Sequence, residues 1–189
     1  MKSKEIKEKY IAFLRGINVG GHHKVPMAEL RMELEKLNLE NVITILNSGN
    51  IIFDASTDNL TNLEKTISGH LEKSFCFPVP TVIRRSDTIL GLLNNNPFKD
   101  VKLTKDIRLY ISFLQKNIET DLIIPWCSAD SSFKITGKNT NTIFSILDLT
   151  ISKTPKAMGT LDRFFGKDIT TRNWKTIERI GKKLEGSHL

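Results

Sequence analysis

The chain has 189 residues, 39% of them hydrophobic, and carries 28 Lys and Arg against 21 Asp and Glu, a net charge of +7. That is room for one large or two small domains of about 100–150 residues each, with a globular composition that excludes a disordered tail protein. No run approaches the ~18 apolar residues of a membrane span, and the charged first ten residues do not read as a signal peptide, so a cytoplasmic protein without membrane contact is expected.

Residues 10–17 (YIAFLRGI) are apolar except for Arg15, too short for a lone helix and followed by glycine: a buried strand. After a loop over 18–24, Pro26 sits where the first turn of a helix tolerates proline, and Leu30, Leu34 and Leu37 follow at helical spacing. Residues 42–46 and 51–53 flank the turn-formers Asn47, Ser48, Gly49 and Asn50 and predict a tight hairpin. Leu60, Leu63, Ile67, Leu71 and Phe75 mark one face of a helix stopped by Pro78 and Pro80, and residues 81–84 supply a fourth strand. The order βαββαβ predicts an antiparallel sheet with two helices on one face.

A second unit of the same kind is expected to follow. A short helix over 86–93 and a turn over 94–97 lead to a strong strand at 107–114 (IRLYISFL). Residues 118–124 predict a helix, 133–136 and 142–149 two strands around a turn at 137–141, and 156–165 a helix. A short strand at 169–171 precedes a terminal helix in which Trp174, Ile177, Ile180 and Leu184 share a face and Lys175, Arg179, Lys182 and Lys183 lie off it. Residues 185–189 (EGSHL) lack periodicity and read as a frayed tail or a non-native remnant. The expected domains are 1–86, a first βαββαβ unit, and 87–189, a second one with a C-terminal helix. No Ser/Gly linker separates them.

Net charge is less informative than its distribution. Residues 1–80 hold ten basic and ten acidic side chains, 81–152 nine and seven, and 153–189 nine and four. The basic last third is either a solvated helix surface or an electrostatic footprint for nucleic acid.

Chemistry-bearing candidates lie mainly in the neutral first part. Residues 16–24 (GINVGGHHK) form a glycine-rich connection between strand and helix. It approaches a phosphate loop, but His22 and His23 stand where that loop needs Lys and Ser/Thr. What remains open is an anion nest built on Gly20 and Gly21 with Lys24 or Arg15 adding charge, or a connection whose glycines serve backbone conformation alone. Arg15, on the side of Ile11, Phe13 and Ile17, is either ion-paired or placed at the end of the sheet as an anion ligand. Ser48 and Asn50 either present polar groups at the hairpin tip or only make the turn. Arg172 is a candidate anion contact, and Asn173 or Thr171 a cap for the terminal helix. Cys76 and Cys127, 51 residues apart, supply neither a disulfide framework nor paired zinc ligands, and adjacent histidines complete no metal site, so neither metal nor cofactor is expected. No nucleophile elbow, zinc-protease motif, dinucleotide fingerprint or carboxylate pair is present.

Several of these segments carry a resemblance. Residues 14–21 (LRGINVGG), 24–27 (KVPM), 47–53 (NSGNIIF) and 171–174 (TRNW) with Thr176 resemble the signature segments of the bacterial family known as domain of unknown function 1697. The resemblance implies an α+β fold of two ferredoxin-like units and no particular activity. It marks Arg15, Asn18, Gly20, Gly21, Lys24, Ser48, Asn50, Arg172, Asn173 and Trp174 as signature positions. The resulting expectation is a small anionic ligand, phosphate- or carboxylate-bearing, held by the polar members of this set, with nucleic acid at the basic C-terminal third as the alternative.

Overall fold

The computed structural model describes residues 7–57 and 59–186. Contacts divide the chain into Gly91–Lys183 and a unit made of the chain on either side of it. Each unit carries one sheet.

In the first unit, β1 (Glu8–Leu14), α1 (Met27–Glu35), β2 (Glu40–Ile45), β3 (Asn50–Ala55), α2 (Leu60–Phe75) and β4 (Thr81–Arg85) follow the expected βαββαβ order. All strand pairs are antiparallel and the spatial order is β2-β3-β1-β4, the ferredoxin-like arrangement. Pro26 precedes α1 with extended backbone and accepts the Leu30 N–H at 3.0 Å. Asn59 caps α2 by accepting the Asn62 N–H at 2.9 Å. At its other end Cys76 takes a left-handed conformation, and Pro78 and Pro80 prevent continuation.

Leu30 and Leu34 of α1 and Ile67 and Leu71 of α2 bury one face of the sheet, meeting Tyr10, Ala12, Leu14, Ile51, Phe53 and Ile83. Ile11, Phe13, Ile52 and Val82, pointing the other way, are buried too. Burial on both faces explains why β1 is a continuous apolar run rather than an alternating one. Ile17 departs from the expected alternation. The strand ends at Leu14, Gly16 turns the chain at φ +78°, and Ile17 packs with the cluster under the helices instead of on the side of Ile11 and Phe13.

At the edge of this sheet, the Ile83 N–H of β4 donates to Glu64 Oε1 of α2 at 2.7 Å, and the Arg84 guanidinium stands 3.9 Å from the same oxygen. Burial pushes the Glu64 carboxyl above its usual pKa, opposed by that N–H and by Arg84.

α3 (Ser86–Asn95) leads to β5 (Ile107–Leu114), β6 (Trp126–Cys127), β7 (Phe133–Asn139), β8 (Thr142–Asp148), α4 (Thr154–Phe165), β9 (Ile169–Asn173) and α5 (Trp174–Glu185). The second sheet is antiparallel in the order β6-β7-β8-β5-β9. Without β6, its order in chain sequence repeats that of the first sheet. Ala157, Leu161 and Phe165, each four residues apart on α4, cover one face.

The helix expected over 118–124 does not form. Those residues are extended, and Ile118, Leu122, Ile124 and Trp126 pack against the cluster of Leu114, Phe133, Ile135 and Ile143 while Ile123 is 84% exposed. Seven residues closed off by Pro125 would give a helix of barely two turns, whereas period-two packing brings every second side chain partly under cover.

The two-residue loop Thr140 and Asn141 is tighter than the expected turn. On α5, Trp174, Ile177, Ile180 and Leu184 are buried and Lys175, Arg179, Lys182 and Lys183 exposed. Glu185 still belongs to that helix, and Ser187, His188 and Leu189 lie outside the described residues. No described helix is long and apolar enough to cross a membrane.

Candidate functional site

The glycine-rich connection folds as a miniature hairpin. Val19 and His22 form an antiparallel bridge, the His22 N–H donates to the Val19 carbonyl at 3.1 Å and the Asn18 N–H to the His23 carbonyl at 3.0 Å. Gly20 and Gly21 between them have φ of +60° and +80°, the pair of left-handed residues that a type I′ turn requires. The N–H groups of Gly20 and Gly21 take no part in the turn's own bond.

Asn18 holds this hairpin in place. Its Oδ1 accepts the Val25 N–H at 2.8 Å, and its Nδ2 donates to the Val25 carbonyl at 3.0 Å and the Asn47 carbonyl at 2.8 Å. One side chain thus ties the loop to the start of α1 and to the β2–β3 hairpin tip. His23 stacks on Phe77 with centroids 4.2 Å apart. Between these braced segments lies an open depression of about 430 Å³ lined by Asn18, Gly21, Lys24, Val25, Met27 and Asn47, among others. Lys24 is exposed, and no carboxylate of the described residues forms an ion pair with it.

The other expected residues of this unit serve different ends. Arg15 lies one residue past β1, half-buried, with its N–H donating to the Pro80 carbonyl at 2.8 Å. Asn50, read as a turn residue, is fully buried as the first residue of β3, and its Nδ2 bonds the Ile45 carbonyl at 2.9 Å and Ser48 Oγ at 3.0 Å. It closes the hairpin from inside. Gly49 is equally constrained: at φ +72°, a Cβ there would stand 2.7 Å from the Leu14 Cβ. Arg15, Ser48 and Asn50 do not line the depression.

Arg172 and Asn173 belong to the second unit. The Arg172 guanidinium is buried, donates to Thr170 Oγ1 at 2.8 Å and the Thr171 carbonyl at 2.9 Å, and has its pKa pushed down to about 10 by burial, so it stays charged at neutral pH. Asn173 caps α5, accepting the Lys175 N–H at 3.0 Å, while Thr171 instead shares a hydroxyl bond with Ser112 at 2.7 Å.

Asn173 also lines a cavity of about 530 Å³, together with Phe98, Lys105, Arg108, Trp174 and other residues of this unit. Sequence reasoning singled out only Asn173 and Trp174 of this set, because the lining comes from separated segments with no shared period. The available signal was the aromatic and apolar content of 97–109 beside four cations, of which Lys105 and Arg108 reach the cavity. Among the described residues, no three His, Cys, Asp or Glu come together to hold a metal ion.

A solved structure, the conserved bacterial protein SP0830 from Streptococcus pneumoniae, is similar over 95% of this chain and 99% of its own, with 28% sequence identity and a TM-score of 0.74. No curated protein matches the chain. The model of the family described as "Protein of unknown function (DUF1697)" matches residues 7–139, a range that holds the loop and hairpin-tip segments and leaves 171–174 outside. The chain belongs to the DUF1697 family.

Proposed function

We propose that the protein binds a small phosphate- or carboxylate-bearing anion in the depression beside Lys24. The observation that carries this reading is an exposed ammonium group with no carboxylate partner among the described residues, on the wall of a concavity that Asn18 braces from two sides. A cation whose charge is not spent internally, beside a wall that Asn18 holds in shape, offers an anion a counter-charge at a preformed surface. In this reading Lys24 supplies the charge and Gly21, which lines the depression, a backbone donor, while Gly20 shapes the turn. Asn18, Ser48 and Asn50 hold the shape, and Arg15 stands outside the depression at the end of β1. Arg172 and Asn173 act within their own unit, as a buried strand residue and a helix cap.

The test is the thermal midpoint of the parent protein and of Lys24→Ala in inorganic phosphate and in succinate. A ligand at 100 times its Kd stabilises the folded state by about 2.7 kcal/mol, so a saturating anion should raise the parent midpoint by several degrees. Lys24→Ala should abolish the rise and leave the ligand-free midpoint unchanged. A rise that persists in the variant overturns the site. The alternative, a nucleic-acid surface, is favoured by the exposed Lys175, Arg179, Lys182 and Lys183 of α5. It predicts oligonucleotide binding that falls steeply with salt and ignores Lys24→Ala.

A further inference from the structure

We infer that the cavity of the second unit is a binding site for an organic carboxylate with an aromatic or aliphatic body. Its volume, about 530 Å³, is that of a small-molecule pocket, and its walls divide into two chemically different halves. One half is apolar. Phe98 and Trp174 meet edge to face with centroids 5.4 Å apart and are almost wholly buried, which makes a rigid aromatic wall, and Leu103 stands 62% exposed at its margin.

The other half carries Lys105, Arg108 and Lys175 against a single carboxylate, Glu178. Arg108 is anchored by donating to the Lys105 carbonyl at 2.6 Å and the Ile107 carbonyl at 3.2 Å. Neither Lys105 nor Lys175 forms an ion pair among the described residues. The rim is therefore net positive with charge to spare.

Each half rewards a different part of a ligand. A bare phosphate makes no use of the apolar margin at Leu103, and a neutral hydrocarbon makes no use of the two exposed ammonium groups. A carboxylate on an apolar body uses both, packing its hydrocarbon over Leu103 and the accessible edges of Phe98 and Trp174 and placing its oxygens between Lys105 and Lys175. Glu178 disfavours a second negative charge on the ligand. Asn173, already capping α5, shapes the pocket through its position and needs no further donor.

The experiment titrates the full chain with 4-phenylbutanoate and with its neutral counterpart 4-phenylbutanol, by calorimetry on the parent and by indole emission on Trp126→Phe, which leaves Trp174 as the one tryptophan. The acid is expected to bind saturably, about fivefold to tenfold more tightly than the alcohol, with a change in Trp174 emission. Lys105→Glu combined with Lys175→Glu should remove that preference while the ligand-free midpoint stays put, and Lys24→Ala should change nothing, which separates this site from the depression in the other unit. Absence of saturable heat up to about 10 mM acid, equal affinity for acid and alcohol, or a preference that survives the double charge reversal would each overturn the assignment.

Discussion

The two units share a strand order and differ in what fills the space between their first and second strands. In the first, α1 delivers Leu30 and Leu34, four residues apart and fully buried, to the sheet. In the second, an extended stretch delivers Ile118, Leu122 and Ile124, each only partly buried, and then adds β6 as a fifth strand. The same sheet thus tolerates either filler. Strand pairing sets the topology, and the covering segment needs only to bring apolar side chains to the sheet at whatever period its length allows.

That comparison can be broken most forcefully at Gly49. Gly49→Ala places a methyl against Leu14 and Ile17 and forces a left-handed alanine, so the first unit should lose about 3 kcal/mol or more, measured by urea unfolding. Leu34→Ala against Leu122→Ala measures the two fillers directly. The helical leucine should cost about 2–5 kcal/mol and the extended one about 1 kcal/mol; equal losses would mean that the extended stretch carries as much of the core as α1.

The smallest effect concerns acid. Lys36 first, then Ser74 and His70, hold the Glu33 carboxylate at a pKa of about 2, below its ordinary 4.5. A folded-state pKa below the unfolded one means stabilisation that is present above about 4.5 and is lost as pH falls towards 2. Glu64, pushed upward by burial, runs with the opposite sign. Carboxyl carbon chemical shifts followed from pH 7 to 2 should give Glu33 a midpoint near 2 and Glu64 one above the ordinary value. Coinciding midpoints would remove the distinction.

Element order was legible because most segments carry one dominant period. Leu60, Leu63, Ile67 and Leu71 can only be a helix face, and residues 107–114 are too short and apolar to be anything but a buried strand. Residues 118–124 fit both periods, since Ile118, Leu122 and Ile124 are even-numbered and two of them are four apart. Length and Pro125 decided between them. Asn50 looked like a turn-former because local chemistry cannot distinguish an amide that makes a turn from one that closes it from within. Of the expected site, Asn18, Gly21 and Lys24 came together because the loop that holds them is short and self-bonded. The cavity over Phe98 and Trp174 joins residues more than seventy positions apart, and such proximity leaves no trace in local spacing.

The bond from Ile83 N–H to Glu64 reaches beyond the fold of one molecule. An outer strand normally offers its free amides to any passing extended chain, and here one of them already has an anionic occupant. A peptide approaching β4 at Ile83 would have to displace that carboxylate before its own carbonyl could accept the amide. Glu64 therefore occupies one amide of this outer strand, and its removal would both leave Arg84 without its buried carboxylate and free that amide for pairing with another extended chain.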